Sequence, residues 1–248
     1  MPTPNSRGNF HFLRGGAAYS HAVIADPGYA IQYVTFLHPL PVAQGFDWIA
    51  DYLQNQGRPT QAVCAIQLRS PRPLTMQEFG AFNAQTYRPA LEKHDLLVEG
   101  VSPMTRSNLA VEINPPAQAV LYAFGYTVPS GDTGATRDFI LSGAGDMDAN
   151  GKIIRGGETS DDALRDKAKF VMDDLSARLK TLDVTWDDST AFNVYCAYDL
   201  FPYLRETVLE PLGRAQLQGV HWYFMRPPIQ GLELEADARR VLREVYLP

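Results

Sequence analysis

Two apolar periods alternate along this chain. From Ser160 onward, Leu164, Ala168, Val171, Leu175, Leu179 and Leu182 recur every third or fourth residue, which places them on one face of a long amphipathic helix. Around it, β-rich runs at Phe139-Ile-Leu141, Ala191 to Tyr198, His221 to Met225 and Gly231 to Ala236 predict strands. Asp148-Ala-Asn-Gly151 reads as a hairpin turn, because Asn-Gly tolerates positive φ, with Lys152 to Arg155 as the returning strand. Leu204, Val208, Leu209 and Leu212 form a second helical stripe that stops before Gly213. The predicted order is β-β-α-β-α-β-β.

The earlier part of the chain follows the same order. Ala22 to Ile24 and Ala30 to Leu37 read as strands, Phe46 to Leu53 as a short helix stopped by Gly57 and Pro59, and Gln61 to Leu68 as a strand. A second helix starts at Thr75, where Thr75-Met-Gln-Glu78 has the spacing of a capping box. Leu109 to Ile113 and Val120 to Tyr126 close the set. The class is α+β, with two helices covering one face of a sheet in each half.

Local sequence repeats as well. Asn114-Pro-Pro-Ala-Gln-Ala returns 112 residues later as Arg226-Pro-Pro-Ile-Gln-Gly, and Val63-Cys-Ala-Ile-Gln-Leu68 returns 132 residues later as Tyr195-Cys-Ala-Tyr-Asp-Leu200. Two matches in the same order predict two diverged copies of one module, residues 1–130 and 135–248, with extra chain in the first. Thr127 to Asp138, with two glycines, a proline and no apolar period, reads as the connecting loop.

Composition narrows the function. The 248 residues are 45% hydrophobic and 20% charged with net charge −6, the balance of a globular protein and the wrong sign for a nucleic-acid-binding face. No stretch approaches the ~18 apolar residues of a membrane span. The polar start, Met1 to Phe10, lacks the apolar core of a signal peptide, so the expected setting is the cytoplasm. Two cysteines, Cys64 and Cys196, cannot make a disulfide framework or a four-ligand zinc site, and their apolar neighbours read them as small buried hydrophobes.

Familiar catalytic motifs are missing: there is no Walker A loop, G-x-G-x-x-G, His-Glu-x-x-His or G-x-S-x-G. The five histidines show no metal-ligand spacing. Asp146-x-Asp148-x-Asn150-Gly151 opens like a calcium loop, yet its twelfth position is Gly157 rather than the bidentate glutamate, which favours the hairpin turn.

Four segments carry a family resemblance. Ala17-Ala-Tyr-Ser-His-Ala-Val23 resembles the Pro-Tyr-Ser-Gln-Ala start of the RidA/YjgF reactive-intermediate deaminases, and Phe139-Ile-Leu-Ser142-Gly143 resembles their Val-Ser-Gly-Gln segment. Phe82-Asn83-Ala-Gln-Thr-Tyr87 is similar to the asparagine-bearing second helix, and Arg106-Ser107 to the motif that holds a substrate carboxylate. The resemblance implies two tandem RidA-like (chorismate-mutase-like) modules and clefts between neighbouring modules. It also implies cofactor-free hydrolysis of 2-imino or 2-enamino acids to 2-oxo acids and ammonia. A duplicated acidic chain is similar to the branch that deaminates 2-aminomuconate-type ring-cleavage products. A homotrimer supplying six modules is the implied assembly.

Carried over residue by residue, the motifs divide between the copies. The arginine is Arg106, with Gln218 at the 112-residue offset; the water-positioning glutamate falls on Leu121 in one copy and Glu233 in the other. The Ser-Gly pair is Ser142-Gly143, against Thr35-Phe36, and the helix asparagine is Asn83, against Arg205. The expectation is a composite site: Arg106, Glu233 and Asn83 as catalytic groups, with Tyr19, Ser142, Gly143 and Arg205 binding substrate. A muconate's second carboxylate invites a second cation, Arg205 or Arg226. Two readings compete with the deaminase: a RidA-like protein that binds small carboxylates or scaffolds an assembly without catalysis, and a chorismate-type lyase or mutase on the same fold.

Overall fold

In the computed structural model, which describes residues 1–131 and 137–248, two β-sheets lie face to face and helices cover both outer faces. In chain order the strands of the first half are β1 (Thr3–Asn5), β2 (Phe10–Leu13), β3 (Ala22–Ala25), β4 (Tyr29–Pro41), β5 (Val63–Ser70), β6 (Thr105–Val111) and β7 (Val120–Pro129). Those of the second half are β8 (Phe139–Leu141), β9 (Ala144–Gly145), β10 (Ala191–Cys196), β11 (His221–Tyr223), β12 (Met225–Arg226), β13 (Leu234–Arg240) and β14 (Arg243–Leu247). The helices are α1 (Val42–Asn55), α2 (Met76–Phe82), α3 (Arg88–Lys93), α4 (Asp161–Leu182), α5 (Phe201–Leu204) and α6 (Glu210–Leu212).

One sheet runs β1-β2-β3-β8-β13-β10-β11, with β9 also on β13; the other runs β12-β6-β5-β7-β4-β14. The expected boundary at 130–135 therefore separates the helices but not the strands. β1 to β3 join the second half's sheet, while β12 and β14 join the first half's, β14 parallel to β4 from Arg243↔Gln32 to Leu247↔Phe36. Phe10, Phe12, Val23 and Ile140 from one sheet and Ile31, Tyr33, Cys64 and Ala123 from the other fill the layer between them.

Local chemistry accounts for the helices. Ser160 caps α4 by accepting from Ala163 N–H, and Asp183 closes it at φ 58°, so the stripe from Leu164 to Leu182 is buried against its sheet. Thr75 and Glu78 complete both bonds of the capping box on α2. Between α2 and α3, Asn83–Tyr87 widens into a π-helical turn, as does Arg205–Leu209 between α5 and α6. Each precedes a proline, Pro89 or Pro211, whose missing N–H and bulky ring cannot continue an α-helical ladder.

Several elements differ from expectation. Lys152 to Arg155 is not a strand: only Ile153 bridges back, to Met147, and the segment turns again to reach Ser160. The turn itself forms, with Gly151 at φ 80° and Asp148 N–H donating to the Lys152 carbonyl over 2.9 Å. Thr127 to Pro129 belongs to β7 rather than to the connecting loop, whose residues 132–136 lie outside the described residues. His221 to Met225 splits into β11 and β12, which serve different sheets. The closing strand of the second half starts at Leu234 and runs to Arg240.

Candidate active site

Where the two halves meet, a cavity of 320 Å³ opens between β6, β9, α4 and β13, with Tyr19, His21, Arg106, Asn108, Gly143, Arg178 and Glu235 in its wall. β6 delivers Arg106. Its guanidinium is buried and enclosed by the rings of Tyr19, Phe79 and Tyr87, 4.8, 5.3 and 4.6 Å from their centroids. Nη1 donates to Asn83 Oδ1 over 2.7 Å, while Nη2 has no partner. Burial lowers the affinity of this guanidine for its proton, but an arginine starts so high that it stays charged. Asn83 opens the π-helical turn, so the local widening forced by Pro89 is what sets the amide against Arg106.

The other half fixes the backbone of this arginine. Arg106 N–H donates to Ser142 Oγ over 2.8 Å, and that hydroxyl donates to the Ser20 carbonyl over 2.6 Å. Gly143 N–H donates to Ser107 Oγ at 3.2 Å, and Ser107 donates onward to Asp237 Oδ2 at 2.6 Å. Asp237 also accepts from Asn193, Tyr195 and Gln67, so a buried carboxylate ties together both sheets beneath the cavity.

β13 supplies the acid. Glu235 is 5% exposed, opposite Gly145 on one side and Tyr195 on the other. Its carboxyl is pushed up to about 8 by burial and by the neighbouring Asp237, against the opposing pull of Arg106, Arg178 and Arg69. At neutral pH it therefore holds its proton. A Cβ on Gly143 would collide with Glu235 Oε1 and stand 2.7 Å from its Cδ, so only glycine leaves the carboxyl where it is.

α4 closes the opposite wall. Arg178 Nη1 donates to the carbonyls of Ser142 and His21, at 3.0 and 3.3 Å, and Nη2 donates to Asp174 Oδ2 at 2.6 Å. Burial and the Arg178 charge hold the His21 imidazole below its usual range, against the weaker opposing effect of Asp174. Behind the 145–154 segment, Lys167 and Asp146 form an ion pair at 2.7 Å in which both side chains are 0% exposed. Asp146 Oδ1 accepts from the N–H groups of Glu233 and Leu234, and Lys167 donates to the Ile154 carbonyl. The pair is fully partnered, the condition under which buried charges are tolerated.

Of the expected site residues, the structure brings Arg106, Asn83, Tyr19, Ser142 and Gly143 together. Glu233 stands outside the cavity wall and pairs with Arg226 at 2.7 Å; Arg226 is held on its other side by Glu112 at 2.6 Å. Arg205 is on the surface, its side chain 88% exposed and 3.2 Å from Glu210. Glu233 immediately precedes β13, whose first residue is Leu234, and Arg205 opens an exposed π-helical turn, so neither is carried into the cavity by a strand. Glu235, Arg178, Asn108 and His21 escaped sequence reasoning. The Glu235-Ala-Asp237 alternation and the Asp174/Arg178 helical spacing were their visible signals.

The calcium-loop alternative is spent on the backbone. Asp148 Oδ1 accepts from Asn150 and Lys152 N–H, Asp146 is paired with Lys167, and no metal-binding cluster of His, Cys, Asp or Glu occurs among the described residues. Both cysteines are buried, and burial raises both thiols, Cys196 to about 11. No helix among the described residues is long and apolar enough to cross a membrane.

The fold is mixed α+β, with an arginine-bearing cavity at the junction of its halves. From residue 2 to residue 245 the chain matches the model of the 2-aminomuconate deaminase CnbZ family, and it belongs to that family. It is 33% identical over 247 residues to a 2-amino-5-chloromuconate deaminase of Comamonas testosteroni, covering 98% of this chain and 97% of that protein. A chorismatase crystal structure superposes with TM-score 0.50 at 9% identity, over 88% of this chain and 77% of that one, a likeness of fold alone. A putative endoribonuclease of Thermotoga maritima, 19% identical, covers 42% of this chain and 78% of its own with TM-score 0.35.

Proposed function

We propose that this protein is a cofactor-independent hydrolytic deaminase that converts a 2-aminomuconate-type enamine or imine acid to the 2-oxo acid and ammonia. The observation that carries the reading is the pairing, in one cavity, of a buried arginine with an unpartnered nitrogen and a carboxyl that stays protonated at neutral pH. Arg106 takes the carboxylate next to the amino-bearing carbon. Glu235 donates its proton to the enamine carbon, turning the C–N unit into an iminium, and the resulting carboxylate orients water and takes a proton from it as oxygen adds. The tetrahedral carbinolamine takes that proton from Glu235 onto its nitrogen, which leaves as ammonia while the hydroxyl returns a proton to Glu235 and the carbonyl forms, so one water is consumed for each ammonia released. The Asn108 amide, whose Nδ2 has no partner, is the donor for the developing charge.

We infer further that the halves are tandem copies of one module, a reading supported by the two π-helical turns, each starting six residues before its proline. Arg205, exposed on the surface of its own copy, can then act only where another copy of the chain presents a cleft, in the trimer of six modules that the resemblance implies.

The test is stoichiometry. Chelator-treated, dialysed protein given freshly generated 2-aminomuconate should release one ammonia per enamine consumed. Binding of the acid without ammonia release would move the protein to the class of non-catalytic carboxylate binders, and a carbon-skeleton product without ammonia would move it to the lyases or mutases.

A further inference from the structure

Eight buried side-chain polar atoms among the described residues have no hydrogen-bond partner, and three of them belong to the wall of this one cavity: Arg106 Nη2, Asn108 Nδ2 and Arg178 Nε. All three are donors. Leaving a buried donor unpaired is costly, so three of them in the wall of one cavity mark the place of an acceptor-rich ligand. Arg106 accounts for one carboxylate. Arg178 is a second guanidinium on a different element, and Ser142 ties the two together: its hydroxyl accepts from Arg106 N–H and its carbonyl from Arg178 Nη1.

Resting on the deaminase reading above, we propose that Arg178 is the anchor for the second carboxylate of the substrate, and that it selects dicarboxylates over monocarboxylates. The Nε–H and one Nη2–H of a guanidinium point the same way and form an edge matched to a carboxylate. In Arg178 the Nε side of that edge has no partner, while Nη2 is steadied by Asp174 and Nη1 by two backbone carbonyls. The group is thus pre-positioned, with one donor left for a ligand. Two other arginines are committed elsewhere, Arg226 between Glu112 and Glu233 and Arg205 beside Glu210 on the surface. Asp148, the remaining carboxylate of the wall, turns an oxygen to the backbone N–H groups of Asn150 and Lys152.

The experiment compares wild type with Arg178→Gln on two substrates, 2-aminomuconate and the monocarboxylate 2-iminobutyrate, and on two unreactive ligands, trans,trans-muconate and crotonate. A lost charge-assisted hydrogen bond corresponds to about 10- to 150-fold in an equilibrium constant. The ratio of kcat/KM for dicarboxylate over monocarboxylate should fall by that factor, through KM, and the binding preference for muconate over crotonate should fall with it. Arg178→Lys, which keeps the charge, should recover part of both ratios and serves if the glutamine variant does not fold. Equal losses on both substrates, or an unchanged muconate preference, would overturn the proposal. Wild type that releases no ammonia but prefers muconate to crotonate, with the preference lost in the variant, would sink the deaminase reading and keep Arg178 as the anchor.

Discussion

The backbone N–H of Arg106 donates to Ser142 Oγ over 2.8 Å, so the residue that anchors the cavity is held by the opposite half of the chain. Ser142→Ala leaves a buried N–H without an acceptor and frees the Ser20 carbonyl that the hydroxyl had satisfied. The variant should lose about 1–3 kcal/mol of stability, read as a lower urea midpoint with unchanged slope. KM for the amino acid substrate should rise, because the arginine backbone is no longer fixed.

Gly143→Ala separates stability from activity. The new methyl meets the end of a movable side chain, Glu235, rather than backbone, so folding should be disturbed by roughly 1 kcal/mol or less while the carboxyl is pushed out of place. Ammonia release should fall by about 10²-fold, the usual range for a displaced acid-base group, and a near-wild-type rate in a well-folded variant would show that Glu235 need not stand where it does.

Glu235 also sets a pH dependence with a definite sign. Its folded pKa, about 8, lies above that of an unfolded glutamate, ~4.3, so the folded state binds the extra proton between those values. This carboxyl's contribution to stability is complete below the unfolded value and is lost as pH rises through about 8. Relative to Glu235→Gln, the wild type should therefore become less stable from pH 5 to pH 8.5, measured by urea midpoints. The rate should show an alkaline limb near pH 8 that the variant lacks.

Glu233→Gln is the matched control. Its carboxylate pairs with Arg226 outside the cavity wall, so its removal should cost about 1 kcal/mol and leave kcat/KM within roughly threefold of wild type. A loss as large as that of Glu235→Gln would return the water-positioning role to Glu233.

The helices and most strands were legible because their signals are local: the stripe from Leu164 to Leu182, the Thr75/Glu78 box, the Asn150-Gly151 turn. Arg106, Asn83, Tyr19, Ser142 and Gly143 were legible through short motifs. What the chain alone concealed was pairing between distant segments. β14 joins β4 across some two hundred residues, and nothing in Arg243 to Leu247 announces a parallel partner. The same gap hid Glu235. Glu233 and Glu235 stand two residues apart, and only the docked strand shows that the first pairs with Arg226 while the second is buried in the cavity wall. Arg178 reads as an ordinary helical ion pair until α4 is docked on Ser142.

The most direct test is the initial rate of ammonia release from 2-aminomuconate by Arg106→Ala and Glu235→Gln, each shown to be folded by its thermal transition. The geometry predicts losses of about 10³-fold or more for both, from a lost anchor in the first and a lost acid in the second. Rates within a few-fold of wild type in either folded variant would place the chemistry somewhere other than this cavity.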